Sequence, residues 1–257
     1  QVMRQYGLIG FPLGHSFSQR YFAEKFQKEG IENCSYTNFP IEKIEKIEEV
    51  LREHPDLQGF NVTIPYKQAI IPYLSKLSRE AATIGAVNCV RLTPDGMIGY
   101  NTDAYGFQNS LNTLLNGAHP ERALVLGTGG ASRAVKFVLN EERIPFDTVS
   151  RRPQGADYTY EMLTDEIIKA HPLIVNCTPL GTFPKTDECP DLPYEAIGSS
   201  HFLFDLVYNP PLTEFLRRGQ QRGASIRNGY EMLVGQAELA WKIWNDTHVD
   251  ALQPCDK

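Results

Sequence analysis

The chain has 257 residues, of which 42% are apolar and 22% charged, and its net charge is −6. That length accommodates two domains of ordinary size, the composition is that of a globular protein, and the acidic balance argues against general nucleic-acid binding. Its five cysteines show no C-x-x-C spacing and read as reduced thiols rather than a disulfide framework or a zinc site; no apolar run approaches a membrane span and the opening residues lack a signal-peptide pattern, so a cytoplasmic protein without bound metal is expected.

Residues 5–9 predict a first strand, and 19–29 an amphipathic helix with Phe22, Ala23 and Phe26 on one face. Ser16 and Ser18 stand at its start, where a hydroxyl either caps the helix or binds a carboxylate with the helix dipole helping. A second strand over 34–39, a helix over 41–51 and a third strand over 57–65 continue the alternation of a parallel α/β layer. Lys67 follows Asn61, Val62 and Thr63 and opens the next helix. Active-site groups of α/β folds collect at the carboxyl ends of strands, and a lysine there acts as acid or base; the alternative is a surface lysine on a helix. Residues 86–90 and 97–100 form strands about a turn at Thr93–Pro94–Asp95–Gly96. Asp103 either caps a helix over 104–116 or partners Lys67, and a cation and an anion each holding a substrate hydroxyl suit oxidation of an alcohol.

The mid-chain stretch ALVLGTGGASRA runs from an apolar strand, Ala123 to Leu126, into Gly127, Thr128, Gly129, Gly130 and Ala131 and then a helix. Such a turn needs positive φ and bare backbone, and with the helix start it makes a cradle for a dinucleotide pyrophosphate, as in a Rossmann unit. Ser132 stands where the third glycine of the motif falls, and its small side chain still lets helix and strand approach. The second strand of an NAD-binding unit ends in Asp or Glu; here, over 146–150, it ends in Ser150–Arg151–Arg152, which reads as choosing the 2′-phosphate of NADP, the alternative being a basic loop without a ligand. Strands over 173–178, 201–208 (containing Asp205) and 224–226, a helix over 212–218 and a turn at Asn228–Gly229 follow. The last helix, 230–245, is apolar on nearly every side, requires partners for Gln236, and is expected to pack back onto the first domain.

Nine segments in order, GFPLGHSFS, GFNVTIPYK, GAVN, GYNTDAYG, LGTGGASRA, SRR, NCTPLG, DLVYNPPLT and MLVGQAELAW, resemble the shikimate dehydrogenase family over nearly the whole chain. The resemblance implies an α/β substrate domain over 1–103, completed by 230–257, and a Rossmann NADP-binding domain over 104–229. It implies NADPH-dependent reduction of 3-dehydroshikimate to shikimate in aromatic amino-acid biosynthesis, with Lys67 and Asp103 as the catalytic pair. Ser16, Ser18 and Tyr208 would hold the substrate carboxylate, and Thr63, Asn88, Asp103 and Gln236 its ring hydroxyls. Gly127 to Ala131, Ser150, Arg151, Arg152, Leu206 and Gly229 would line the cofactor. Gln19, Tyr66, Ser150 and Arg152 depart from the family pattern without removing a group of chemical role. The alternatives are a quinate or NAD-using relative and a non-catalytic sensor of NADP or a cyclic acid. A small-molecule substrate and a monomer or homodimer complete the expectation.

Overall fold

A computed structural model describes residues 2–14 and 16–245 and the backbone of 254–256. His15 of the first motif and residues 246–253 and 257 of the expected C-terminal completion lie outside the described residues. The chain divides into two compact units, residues 1–102 with 236–257, and 103–235.

The first unit carries β1 (Arg4–Gly10), α1 (Phe17–Lys28), β2 (Cys34–Pro40), α2 (Ile47–Glu53), β3 (Leu57–Val62), β4 (Lys76–Ser78), α3 (Arg79–Ile84), β5 (Cys89–Thr93) and β6 (Gly96–Tyr100). Their seven-stranded sheet has the order β13-β4-β6-β5-β3-β1-β2, with β13 spanning Pro254–Asp256. The sheet is mixed rather than parallel: β1 pairs β2 and β3 in parallel, while β5 runs antiparallel to both β3 and β6. The tight turn at Pro94–Asp95 explains the β5–β6 pair, since a two-residue connection permits only an antiparallel return.

Several expected details differ: the third strand ends at Val62 rather than at 65, and the strand expected over 86–90 is β5, which begins at Cys89. The helix over 41–51 is a 3-10 turn at Ile44–Lys46 followed by α2. Ala23 is exposed, and Lys25 takes the buried position on α1 instead. Its ammonium lies 2.9 Å from Glu238 and 2.8 Å from Glu29, so a charge is tolerated on a face read as apolar because two carboxylates meet it. Tyr66 and Lys67 open no α-helix; the chain turns there and reaches only a 3-10 segment at Ile71–Tyr73.

The unit is filled on both sheet faces. One face packs Ile9, Phe39, Phe60, Val62 and Val90 against Ile47 and Val50 of α2. The other packs Tyr6, Leu8, Tyr36 and Cys89 against Phe22 of α1 and Ala240, Ile243 and Trp244 of α8, which spans Tyr230–Asn245. Trp244 donates through Nε1 to the Val90 carbonyl at 3.0 Å and stacks on Tyr6 at 4.8 Å between centroids. The indole fits because Gly59 has no side chain: a Cβ there would overlap the indole and lie 2.8 Å from the Val90 oxygen. Gly59→Ala therefore costs about 3 kcal/mol from overpacking and the lost hydrogen bond. This corresponds to a fall of roughly 6–12 °C in melting temperature. Thermal melts would show it, and a change below roughly 2 °C would contradict the packing account.

The second unit carries α4 (Thr102–Leu115, beginning one residue earlier in the chain), β7 (Ala123–Leu126), α5 (Gly130–Glu141), β8 (Phe146–Ser150), β9 (Tyr158–Thr159), α6 (Asp165–Ala170), β10 (Leu173–Asn176), β11 (Phe202–Asp205), α7 (Glu214–Gln221) and β12 (Ser225–Arg227). All its strand pairs are parallel, in the order β12-β11-β10-β7-β8-β9. Counted from β7 as the first, this is the 3-2-1-4-5-6 order of a Rossmann sheet, with the reversal of direction at β7. The strand runs LVL and LIV are wholly buried, as a sheet covered on both faces requires. The helix expected over 212–218 is α7, capped by Thr213, whose hydroxyl accepts from Leu216 N at 3.3 Å.

Candidate active site

Topology brings the predicted substrate residues of the first unit to one sheet edge. Parallel β1 and β3 end together, delivering Ser16 and Ser18 after one and Thr63 and Lys67 after the other. Because β5 is antiparallel, Asn88 just before it lies at the same edge, and β6 ends there too with Asn101, Thr102 and, next in the chain, Asp103. Backbone hydrogen bonds knit the edge: Val62 N to Asn88 O at 2.8 Å, Thr63 N to Ile9 O at 2.9 Å, Val87 N to Lys67 O at 2.8 Å, and Asn88 N to Tyr100 O at 3.1 Å.

Each polar side chain has a local task as well. Ser16 is the N-cap of α1, its Oγ accepting from Gln19 N at 3.1 Å, so capping holds for the first serine while its hydroxyl proton stays available. Ser18 lies beside the Tyr36 hydroxyl, which donates to Asn61 Oδ1 at 2.7 Å. Burial pushes the Tyr36 phenol well above its ordinary range. Asp103 is not the helix cap. It sits in the first turn of α4, while Asn88 Oδ1 accepts from Thr102 N at 2.7 Å and Asn88 Nδ2 donates to Thr102 Oγ1 at 2.9 Å. A first-turn position is one where the helix dipole favours a negatively charged side chain. Gln236 is buried on α8 in the first unit, and Tyr208 lies half-exposed in the second.

In the second unit the carboxyl ends of β7, β8 and β10 surround a cavity of about 320 Å³. Gly127, Thr128, Gly129, Ser150 and Arg151 line it, as expected, together with Tyr160, Cys177, Thr178, Pro179 and Leu180. Only Gly127 has positive φ, at 102°; Gly129 and Gly130 do not, so their freedom from a side chain serves space rather than backbone strain. A Cβ at either would meet nothing within 4 Å beyond its chain neighbours and its own helix, which leaves the N-terminus of α5 open to a ligand's phosphates. Ser132 answers for the third glycine: it is buried, and its Oγ donates to Gly129 O at 2.7 Å, fastening the turn to the helix. Arg151, which lines the cavity, and Arg152, next to it in the chain, are both exposed, and Arg152 N donates to Ser150 Oγ at 3.4 Å. Leu206 and Gly229 lie against each other, with Gly229 N on Val207 O at 3.2 Å; a Cβ on Gly229 would overlap the Leu206 carbonyl. The residues present therefore fit a phosphorylated dinucleotide.

Tyr160 and the segment 177–180 are lining residues that sequence reasoning did not single out as site residues. The NCTPLG stretch carried a signal nonetheless, since the strand beside β7 ends there at the switch point. Burial pushes the Tyr160 hydroxyl up to about 12, with Arg151 opposing.

Behind the cavity, buried Asp205 is held by burial at about 6, above the ordinary carboxylate range, with hydrogen bonds from Thr213, Val207 and Asn176 opposing. A raised native pKa means that the folded chain binds a proton more readily than the unfolded one. Its contribution to stability is full below the unfolded value and is lost as pH rises through 6. From pH 8 to pH 5 the wild type should gain about 1–1.5 kcal/mol over Asp205→Asn, a change of roughly 3–5 °C in the gap between their melting temperatures. Melts of both proteins at the two pH values test this, and a constant gap would refute it; the lowered carboxyl of Glu214, paired with Arg217 and Arg218, is common to both and cancels.

No helix of the described residues is long and apolar enough to cross a membrane, and among them no group of His, Cys, Asp or Glu is arranged to hold a metal ion. Fold and site together define a two-unit α/β protein with a Rossmann-type nucleotide-binding unit. Known proteins narrow this further. A family model described as the shikimate dehydrogenase substrate binding domain matches residues 8–90. A shikimate dehydrogenase (NADP(+)) of Clostridium beijerinckii is 39% identical over 260 residues, covering 96% of this chain and 94% of its own. The crystal structure of a chorismate mutase/shikimate 5-dehydrogenase fusion protein from Clostridium acetobutylicum is similar with a TM-score of 0.86 at 35% identity, covering 98% of this chain and 94% of that one. That of a Thermus thermophilus shikimate 5-dehydrogenase in complex with NADP(H) and shikimate gives 0.80 at 33% identity, covering 95% and 94%. The chain belongs to the shikimate dehydrogenase family.

Proposed function

We propose that the protein catalyses the reversible NADPH-dependent reduction of 3-dehydroshikimate to shikimate. The observation that carries this reading is the pair of assembled edges: Ser16, Ser18, Thr63, Lys67 and Asn88 at one, and the glycine turn with Ser150, Arg151 and Arg152 at the other. Relatives named for this activity over nearly the whole chain support it.

Gly127 to Ala131 and the start of α5 would hold the pyrophosphate, Ser150, Arg151 and Arg152 the 2′-phosphate, and Leu206 and Gly229 the nicotinamide end. When bound, NADPH supplies the hydride. The chain's own residues do the rest. Ser16, Ser18 and Tyr208 hold the carboxylate; Thr63, Asn88 and Gln236 hold ring hydroxyls. Lys67 gives its ammonium proton to the oxygen that becomes a hydroxyl, and Asp103 orients that oxygen and the lysine; in the reverse direction Lys67 takes the proton back. Thiols outside any disulfide at Cys34, Cys177 and Cys189 fit a cytoplasmic enzyme, acting as monomer or homodimer.

The test is to mix purified protein with 3-dehydroshikimate and NADPH and identify the product by chromatography. Shikimate formed mole for mole with NADPH consumed is expected. NADP bound without turnover would instead support a sensor.

A further inference from the structure

The 177–180 wall of the cofactor cavity rests on one buried carboxylate. Asp205 closes β11, is fully shielded from solvent, and meets three donors. Its Oδ1 accepts from Asn176 Nδ2 at 3.1 Å and from Val207 N at 3.0 Å, and its Oδ2 from Thr213 Oγ1 at 2.6 Å. The direction of this network is forced. Thr178 N can only donate, and it points at Asn176 Oδ1 at 3.0 Å, so the amide nitrogen of Asn176 faces Asp205. Thr178 Oγ1 donates to the same Asn176 oxygen at 2.7 Å and accepts from Leu180 N at 3.3 Å, which sets the turn that lines the cavity. The second arm of the network pins Val207. That residue's carbonyl receives Gly229 N, and Leu206 N binds Asn176 O at 3.0 Å.

We propose that Asp205 is a positioning residue for the cofactor: through Asn176 it holds the 177–180 wall, and through the Val207 amide it holds Leu206 and Gly229. It touches no ligand itself. The proposal rests on the reading of this cavity as the NADP site. A carboxylate offers acceptors only and satisfies three diverging donors at once; an asparagine must turn an N–H toward one of them. Burying a carboxylate with no cation among these three partners costs stability, and a junction that served packing alone would not require it.

Titration calorimetry of NADP⁺ into the substrate-free wild type, Asp205→Asn, Thr213→Val and Thr213→Ser, with melting curves alongside, reads the effect directly. Asp205→Asn should weaken NADP⁺ binding about tenfold, the scale of one buried hydrogen-bond arm. In turnover the KM for shikimate and the kcat at saturating NADP⁺ should each stay within about threefold. Thr213→Val should weaken NADP⁺ by several-fold and Thr213→Ser should restore it. A folded Asp205→Asn protein with wild-type NADP⁺ affinity would overturn the proposal. If that variant fails to fold, equal affinities for Thr213→Val and Thr213→Ser would overturn it instead. A wild type that binds no NADP⁺ removes the cofactor reading and this proposal with it, whereas the other failures leave the cofactor reading intact.

Discussion

Lys67→Ala should lower kcat by roughly 10²–10⁴ while KM for the substrate changes little. That loss is about 2.7–5.4 kcal/mol of barrier, the scale of a positioned proton donor. The backbone of Lys67 is anchored by Val87 N on its carbonyl and placed by the end of β3 beside β1. Truncation therefore removes the ammonium without moving the frame. Lys67→Arg separates the two things a lysine supplies. A guanidinium keeps the positive charge and does not release its proton near neutral pH, so it should recover little if proton transfer is the task. Stopped-flow or steady-state rates at saturating substrate decide this, and an unchanged kcat for Lys67→Ala would remove the residue from the chemistry.

The double change Arg151→Ala with Arg152→Ala should cut the preference for NADPH over NADH by about 10², with NADH kinetics nearly untouched. Each charge-assisted contact to a 2′-phosphate is worth roughly 1.5–3 kcal/mol, discounted here because both side chains stand in solvent. The remaining discrimination should also weaken with added salt less than that of the wild type does, since fewer exposed charges are left to screen. A preserved NADPH/NADH ratio would move the 2′-phosphate site elsewhere.

Local pattern in the chain made the second unit readable. Its central strands β7 and β10 are short, buried, largely apolar runs, and its glycine turn and arginine pair sit at strand ends, so their spacing carries both fold and site. Three things were not readable there. Gly129 and Gly130 looked conformationally strained, but whether a glycine serves φ or space depends on what stands opposite its missing Cβ. Tyr160 enters the cavity from a 3-10 turn with no motif of its own. Asp205 read as one polar residue inside a strand, and its role depends on Asn176 and Thr213, which tertiary pairing alone brings to it. In the first unit the Asn61–Tyr36 and Asn88–Thr102 pairs likewise follow from sheet order, and the buried Lys25 depends on Glu238, more than two hundred residues away. The helix expected at Tyr66 failed because the backbone there is committed elsewhere: Tyr66 N turns back to Thr63 O at 3.0 Å and Lys67 O receives Val87 N.

The central claim is tested most directly by absorbance at 340 nm with purified protein, offering shikimate and quinate separately with NADP⁺ and with NAD⁺. Rapid NADPH formation with shikimate, much slower reaction with quinate and a clear loss of rate with NAD⁺ are expected. Equal rates on quinate, or activity confined to NAD⁺, would contradict the assignment of substrate or cofactor respectively.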